Sequence, residues 1–225
     1  MTTPVDGLIF DLDGTLCEYR RPGTAILETA FDRAGVEPFF TVADYYDRFE
    51  EFVAGNDGIR GIRSDTFATM AAESGHDPEV GRELAAVYAA ERDHTAVRWL
   101  PGAQAALEEL GERYPLSIVT NGDPEMQGQK LDALGAADRF EAVVHAGFDA
   151  PSKPDPEPFE VALSAMGVDA PRAVTVGNSL DHDVAGAHNA GLQSVWLDRD
   201  GVAVGPPEPH HRIESMHDLR TEPWA

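Results

Sequence analysis

The chain has 225 residues, 42% of them hydrophobic, which is enough for one domain with a full core or for a core domain carrying a smaller insert. Because 40 Asp and Glu outnumber 17 Lys and Arg, the net charge is −23, so the surface repels nucleic acids and anionic membranes, and neither is expected as a partner. The single cysteine, Cys17, excludes an internal disulfide and a cysteine-rich metal site.

Short apolar runs alternate with helical patterns over most of the chain. Strands are predicted at residues 5–10, 116–120, 142–146, 173–177 and 194–197, and helices at 102–110, 124–134, 156–166 and 180–190. Strands that alternate with helices are typical of a parallel sheet covered by helices on both faces. The predicted fold class is therefore α/β, a doubly wound parallel sheet.

The segment that follows the first strand has a different pattern. Helices are predicted at residues 24–34, 42–54, 65–74 and 78–92, and no strand is expected between Cys17 and Arg98. We therefore predict a core domain formed by residues 1–17 and 99–225, with an inserted all-helical domain at residues 18–98. Both connections contain Pro and Gly, which suit domain boundaries.

Two carboxylates follow the first predicted strand in the motif Asp-Leu-Asp-Gly-Thr. Alternate residues of a strand point the same way, so Asp11 and Asp13 are expected to face one reacting group while Gly14 lets the chain turn away. Two close carboxylates repel each other unless a cation or a shared proton intervenes. A divalent ion bound by Asp11 would leave Asp13 free to hold a proton, which suits covalent catalysis on a phosphoryl group.

Polar residues also follow the later predicted strands. Ligands bind at the carboxyl ends of strands in open parallel sheets, so these residues are candidates for a single site. They are Thr120, Asn121 and Gly122 after the second strand, Lys153 after the third, and Asn178, Asp181 and Asp183 after the fourth. A hydroxyl and turn amides suit phosphoryl oxygens. Lys153 is notable because the chain has only one other lysine, Lys130, and a flexible ammonium there neutralises phosphate charge.

The order of these motifs resembles the haloacid dehalogenase superfamily, which is dominated by phosphohydrolases with an aspartate nucleophile. The resemblance covers nearly the whole chain, and the helical insert after the first motif is similar to the cap of the first cap subclass. It implies that Asp11 forms an aspartyl-phosphate, and that Asp13 protonates the leaving oxygen and then activates water. It also implies that Thr15 helps to position this pair.

The fourth motif, residues 177–183 at the end of the fourth predicted strand, departs from the family pattern. The family usually has Gly-Asp-Ser followed by a second acid, whereas Asn178 stands here at the first acidic position. We expect Mg²⁺ to be held by an Asp11 carboxylate oxygen, the Asp13 backbone carbonyl and the side chain of Asn178 or Asp183, with waters and a phosphate oxygen. The Asn178 amide supplies an oxygen without charge, so Asp183 is expected to supply the carboxylate, directly or through water.

These features predict a magnesium-dependent phosphatase for a small phosphorylated metabolite. A phosphomutase of the same fold is the nearest alternative, and Asn178 motivates a second one, a non-catalytic regulatory protein that binds a phosphorylated ligand. Dehalogenase chemistry is disfavoured because dehalogenases of this superfamily lack the second acid, present here as Asp13. The substrate and the oligomeric state stay open. A cytoplasmic location is expected, since the sequence shows neither a signal peptide nor a membrane-length apolar run.

Two arginines of the insert, Arg60 and Arg63, leave two interpretations open. They contact an acidic leaving group, or they form ion pairs on the protein surface, and the second is favoured in a chain with 40 acidic residues. The acidic composition also resembles that of proteins from the salt-loaded cytoplasm of halophiles. In that case folding is expected to require high salt, because a chain with a net charge of −23 repels itself when screening is weak.

Overall fold

The structure is a computed structural model that describes residues 4–53, 58–201 and 205–225. The chain divides into two compact units, one of Met1–Glu18 with Val97–Ala225 and one of Tyr19–Ala96. These limits differ by one and two residues from the predicted domain boundaries. Within the described ranges, no helix has the length and apolarity needed to cross a membrane.

Strands and helices are numbered here in chain order. The strands are β1 (Gly7–Phe10), β2 (Cys17–Tyr19), β3 (Val97–Trp99), β4 (Leu116–Thr120), β5 (Ala142–His145), β6 (Ala173–Gly177), β7 (Gln193–Leu197) and β8 (His211–Ile213). The α-helices are α1 (Gly23–Ala34), α2 (Val42–Arg48), α3 (Ile59–Glu73), α4 (Pro78–Glu91), α5 (Ala103–Gly111), α6 (Pro124–Leu134), α7 (Glu157–Met166) and α8 (Ala185–Ala190).

The first unit is built on a six-stranded sheet in the order β5-β4-β1-β6-β7-β8. Every neighbouring pair in this sheet is parallel. From the central β1 the chain builds outward to β4 and β5 on one side, and then to β6, β7 and β8 on the other. The predicted doubly wound parallel sheet is therefore confirmed.

Helices cover both faces of this sheet, which explains why β1 is apolar without alternation. Leu8 and Phe10 pack into one hydrophobic cluster together with Leu107 of α5. Ile9 points to the other face, where it packs with Phe159 of α7. The two faces of the sheet are thus covered by two hydrophobic clusters, and β1 contributes side chains to both.

The helix ends follow local signals in the sequence. Asp123 accepts hydrogen bonds from the backbone amides of Glu125 and Met126 at the start of α6, and Pro124 occupies the first helical position. Gly135 and Gly167 end α6 and α7 in the left-handed region, with φ values of 64° and 68°. Both helices thus end at a glycine, and α6 begins at its Asp-Pro pair, whereas α7 begins only at Glu157, after Pro156, which supplies no side-chain cap.

Several local predictions were wrong. β2 and β3 form a separate two-stranded sheet at the two chain crossings, although no strand was expected between Cys17 and Arg98. Strands of three residues are too short to show a periodicity, and their pairing is not local. The predicted helix at 180–190 begins as a π-helical turn, Leu180–Val184, and becomes α8 only at Ala185.

The second unit contains α1 to α4 and has a hydrophobic core of its own. Its largest buried side chains include Tyr45, Phe67 and Tyr88. Helix α4 approaches α3 closely at Gly81, where a β-carbon would lie 2.2 Å from the carbonyl oxygen of Phe67. The predicted helix at 42–54 ends as an α-helix at Arg48 and continues as a 3-10 turn, Phe49–Phe52, while residue 54 lies outside the described residues.

Arg63 is a charged residue inside this helical unit. Helix α3 begins six residues before its predicted start, which places Arg63 on the buried face with Ile62 and Phe67. Its guanidinium lies 4.8 Å from the centre of the Tyr88 ring, and it forms no ion pair with a described residue. Arg60 is exposed. The prediction of a surface ion pair is therefore wrong for Arg63, whose charge is placed against an aromatic ring.

Candidate active site

Polar residues converge where β1, β4 and β6 end. β1 pairs with β4 on one side and with β6 on the other, so the carboxyl ends of all three strands lie at the same edge of the sheet. Asp11 follows β1, Thr120 ends β4, and Asn178 follows β6. Side chains from residues 11 to 183 of the chain therefore meet at this edge, which we call the strand-end site.

Lys153 lies at the centre of the strand-end site. Its ammonium nitrogen Nζ donates to Asp11 Oδ1 at 2.9 Å, to Asp183 Oδ1 at 2.7 Å and to the backbone carbonyl of Val119 at 2.9 Å. The side chain is only 3% exposed, yet each of its three donors has an acceptor. A buried lysine is thus held in one orientation between two carboxylates.

The second of these carboxylates, Asp183, is fixed from both sides. Its Oδ1 accepts from Lys153, and its Oδ2 accepts from the backbone amide of Ser179 at 3.0 Å. The fit depends on Gly177, since a β-carbon there would lie 2.2 Å from the Asp183 carboxyl carbon. The expectation that Asp183 supplies a carboxylate to a metal ion, directly or through water, stays a prediction, and in the structure this carboxylate also orients Lys153. Asp181 is exposed.

The charges of Lys153 and Asp183 act on the pKa of Asp11, and those of Asp11 and Asp183 act on the pKa of Lys153. Burial, opposed in part by Lys153 and reinforced by Asp183, raises the pKa of the Asp11 carboxyl to about 6. Burial alone would lower the pKa of Lys153, but the charges and hydrogen bonds of Asp11 and Asp183 raise it above its ordinary value. Lys153 therefore stays charged at neutral pH. Two carboxylates share its single positive charge, so the cluster favours one more cation.

Thr15 joins Asp11 to the fourth motif. Its hydroxyl lies 3.0 Å from Asp11 Oδ2 and 3.2 Å from Asn178 Oδ1, so the three oxygens form a close group. One hydroxyl has a single proton and can donate to only one of the two acceptors at a time. The turn that brings them together uses Gly14, whose φ of 78° favours glycine and whose absent β-carbon leaves room for the Asn178 amide.

Asp13 faces a different set of partners. Both of its carboxylate oxygens lie 2.7 Å from Lys130 Nζ, and Oδ2 also accepts from Gln127 Nε2 at 2.9 Å. Asp11 and Asp13 were expected to face one reacting group. The structure gives each of them its own lysine, Lys153 for Asp11 and Lys130 for Asp13, and these are the two lysines of the chain.

The residues predicted to bind phosphate contact either Gln127 or the backbone of Lys153. Thr120 is buried at the end of β4, and its hydroxyl oxygen accepts from Gln127 Nε2 at 2.8 Å. The Asn121 side chain bonds the backbone of Lys153, accepting from its amide at 2.8 Å and donating to its carbonyl at 3.2 Å. Gly122 makes room for Gln127, whose Nε2 would lie 1.9 Å from a β-carbon there.

Lys130 and Gln127 are absent from the site predicted from sequence. Both belong to α6, three positions apart, and therefore lie on the same side of that helix. Neither residue directly follows a strand, so the strand-end motifs do not indicate them. The scarcity of lysine was a signal that applied equally to Lys130, because the chain uses Arg for its 15 other basic residues.

Comparison with known proteins supports the observed fold. A model of the haloacid dehalogenase-like hydrolase family matches residues 5–191. The chain is 32% identical to a phosphoserine phosphatase of Thermus thermophilus, over 94% of this chain and 96% of that protein. It is 30% identical to the pyrophosphatase PpaX of Bacillus velezensis, over 96% and 94% of the two chains.

Solved structures share the fold. The HAD-type hydrolase YfnB from Bacillus subtilis, in a crystal structure with bound magnesium, superposes with a TM-score of 0.77 at 22% identity, over 98% of this chain and 99% of that one. At this identity the likeness concerns the fold. Because the family model spans most of the sequence, the chain belongs to the haloacid dehalogenase-like hydrolase family.

Proposed function

We propose that this protein is a magnesium-dependent phosphatase that hydrolyses a small phosphate monoester through an aspartyl-phosphate on Asp11. The observation that carries the proposal is the pairing of Asp11 with a buried, fully bonded Lys153 while Asp13 is held separately by Lys130. Two carboxylates two residues apart thus have different surroundings, which suits two different roles. Phosphatases among the relatives support the same reaction class.

In the first half of the reaction, a carboxylate oxygen of Asp11 attacks phosphorus and the bond from phosphorus to the ester oxygen breaks. Asp13 gives its proton to that oxygen, so the leaving group departs as an alcohol. In the second half, water attacks phosphorus, Asp13 takes the proton from water, and the bond between Asp11 and phosphorus breaks. Asp13 ends with the proton that it gave up, and inorganic phosphate is released.

Lys153 and the end of β4 form the phosphate-binding part of the proposed site. The Lys153 ammonium lies beside Asp11 and offsets the negative charge of an incoming phosphoryl group. The Thr120 hydroxyl and the backbone amides around Asn121 and Gly122 add neutral donors. The Asn121 side chain serves this part by holding the backbone of Lys153 rather than by reaching the phosphate itself.

The oxygens near Thr15 fit a Mg²⁺ ion. Asp11 Oδ2 and Asn178 Oδ1 lie within 3.2 Å of the same hydroxyl and are oxygen ligands of the kind that Mg²⁺ prefers. Within the described ranges, no three His, Cys, Asp or Glu side chains converge as a metal site, so the proposed set combines one carboxylate, the Asn178 amide and the Asp13 carbonyl. Bound there, Mg²⁺ would stabilise the negative charge of the phosphoryl oxygens.

The substrate is proposed only as a class. The relatives named above act on phosphoserine and on pyrophosphate, two compounds with different leaving groups. What they share is a phosphoryl group that is transferred to water. We therefore expect a small phosphorylated compound as substrate.

The test is phosphate release from a panel of small phosphate esters, including p-nitrophenyl phosphate, in concentrated KCl with and without Mg²⁺. The wild type is compared with Asp11→Asn, which keeps the shape of the side chain and removes the nucleophilic carboxylate. We expect release that requires Mg²⁺ and is lost in Asp11→Asn. A matched control is Asp181→Asn, which removes an exposed carboxylate of the fourth motif and should leave release unchanged.

Trapping the protein with acid during turnover tests the intermediate. We expect phosphate bound covalently to the wild type and absent from Asp11→Asn. Release retained by Asp11→Asn would remove Asp11 as the nucleophile. Folded protein that forms the phosphoenzyme but passes the group to a second hydroxyl would be a phosphomutase, and folded protein that binds esters without turnover would be a binding protein.

A further inference from the structure

Lys130 is a buried lysine that the proposed reaction does not use. Its side chain is only 2% exposed, and its ammonium lies 2.7 Å from both oxygens of Asp13, whose own side chain is 42% exposed. Burying an ammonium costs several kcal/mol unless it is well paired. The position therefore needs an explanation beyond the packing of α6.

Asp13, which forms the ion pair with Lys130, is the residue that donates and accepts the proton in the proposed reaction. Asp13 lies three residues after β1, directly before the turn at Gly14, and its half-exposed side chain has two rotatable bonds. A general acid must place one oxygen within hydrogen-bond distance of the leaving oxygen and later of the attacking water. Something has to hold the Asp13 carboxylate in that direction through both steps.

Gln127 adds a second restraint to the same carboxylate. Its Nε2 donates to Asp13 Oδ2 at 2.9 Å and to Thr120 Oγ1 at 2.8 Å, which ties the acid to the phosphate-binding end of β4. Its Oε1 is buried without a hydrogen-bond partner among the described residues, so the amide is orientated by its two donor contacts. Gln127 and Lys130 lie three positions apart on α6 and reach Asp13 from the same side.

We propose that Lys130, with Gln127, is the positioning residue for Asp13. The ion pair with Lys130 and the hydrogen bond from the Gln127 amide hold the Asp13 carboxylate apart from Asp11, so that the two acids do not compete for Lys153 or for one metal ion. Three of the four lone-pair sites of the carboxylate accept these bonds, and the fourth, on Oδ1, stays free for the leaving oxygen in the first half of the reaction and for water in the second. Lys130 touches neither, and it acts on the reaction only through Asp13.

This inference rests on the proposed phosphatase reaction and predicts a split between its two halves. With p-nitrophenyl phosphate the leaving group departs without a proton, so formation of the phosphoenzyme does not need Asp13. Hydrolysis of the phosphoenzyme does need it, because Asp13 takes the proton from water. Loss of Lys130 should therefore slow the second half and spare the first.

The experiment compares wild type with Lys130→Met, a substitution of similar length that removes the charge. Nitrophenolate release in a single turnover with excess enzyme reports the first half, and steady-state kcat reports the slower half. We expect Lys130→Met to keep the single-turnover rate within about 3-fold and to lower kcat by about 10- to 100-fold, the cost of a misplaced catalytic group. Arg139→Met, which removes the partly exposed ion pair with Glu108, is the control and should change neither rate.

A double variant tests whether Lys130 acts through Asp13. Asp13→Asn should show the same split as Lys130→Met, and adding Lys130→Met to Asp13→Asn should lower kcat by less than about 3-fold more, because the effects of coupled residues do not add. Equal slowing of both halves by Lys130→Met, no slowing, or a full further loss in the double variant would each overturn the inference.

A second variant covers the case in which Lys130→Met does not fold, as judged by its urea transition. Gln127→Leu keeps the ion pair and removes the amide donors, and it should give the same split with a smaller fall in kcat. An unchanged kcat in folded Gln127→Leu would count against the inference. Wild type that forms no phosphoenzyme refutes the proposed function itself, whereas an active wild type without the split refutes only the role of Lys130.

Discussion

The ammonium of Lys153 lies 2.7 Å from the carboxylate of Asp183 at a place where each side chain is 3% exposed. These residues come from the segments that follow the third and fourth predicted strands. Because the remaining donors of Lys153 go to Asp11 and to the Val119 carbonyl, the lysine cannot turn away without losing a buried hydrogen bond. The ion pair thus fixes the charge that faces the proposed nucleophile.

Removing this lysine should damage both activity and stability. Lys153→Met would leave Asp11 and Asp183 as two buried carboxylates without their shared cation. Breaking a buried ion pair in this way costs about 3–5 kcal/mol of unfolding free energy. Loss of the charge that faces the phosphate should lower kcat by at least about 100-fold. Urea unfolding and steady-state kinetics measure the two effects.

A surface ion pair provides the control for this prediction. Arg172 and Asp6 are 2.5 Å apart with side chains 45% and 41% exposed, so Arg172→Met should change the unfolding free energy by less than about 1 kcal/mol. If Lys153→Met lowered the unfolding free energy no more than Arg172→Met does, the buried ion pairs of Lys153 would stabilise the fold no more than a surface ion pair.

Replacing Asn178 by Asp should strengthen the affinity for Mg²⁺. The substitution keeps the side-chain shape and adds a negative charge next to Asp11 Oδ2 and the Thr15 hydroxyl. A ligand set with one more charge should bind the ion at least about 10-fold more tightly. Without Mg²⁺ the same charge should lower the melting temperature, because it repels Asp11 and Asp183. Calorimetric titration with Mg²⁺ and thermal unfolding with and without the ion measure both. An unchanged Mg²⁺ affinity would place residue 178 outside the metal ligands.

Two glycine substitutions should have opposite effects on stability. Gly177→Ala would place a β-carbon 2.2 Å from the Asp183 carboxyl carbon, in a buried place where neither group can move freely. We expect a loss of about 1–3 kcal/mol and reduced activity, because Asp183 would release Lys153. Gly128 lies in α6 with open space around its missing β-carbon, so Gly128→Ala should raise stability by about 0.5–1 kcal/mol. Equal destabilisation by both variants would show that close packing around Asp183 is not the cause.

The single cysteine should be unreactive in the folded protein. Cys17 is fully buried, and burial together with the charge of Asp13 raises the pKa of its thiol to about 12. At neutral pH almost no thiolate is then present, and the thiolate is the reactive form. We expect iodoacetamide to leave the native chain unlabelled and to label it stoichiometrically in denaturing urea, as measured by intact mass. Rapid labelling of the native protein would contradict the burial of Cys17.

Local patterns in the sequence were sufficient for much of the fold. The limits of α6 at residues 124 and 134 follow from Asp123, Pro124 and Gly135, which act through neighbouring backbone groups. The all-buried strand β1 follows from an apolar run without alternation. Signals of this kind depend on near neighbours in the chain, so they can be read without knowing the tertiary structure.

Other elements depended on distant contacts and were missed for that reason. β2 and β3 have three residues each and pair across a separation of about 80 positions, as in the bond from Arg98 to Glu18 beside them. Helix α3 begins at Ile59, and this earlier start determines that Arg63 faces the core and the Tyr88 ring. Neither outcome is encoded in a local periodicity.

The sequence by itself determined the family, the parallel sheet and the identity of the residues that end its strands, because motifs at strand ends are local and occur in a characteristic order. Only the tertiary structure decided how their charges are paired. Asp13 and Lys130 are 117 positions apart, and Asp11 and Lys153 are 142 apart. Coulomb interactions and hydrogen bonds act over a few ångströms in space whatever the separation along the chain, so the assignment of one lysine to each aspartate exists only in the folded protein.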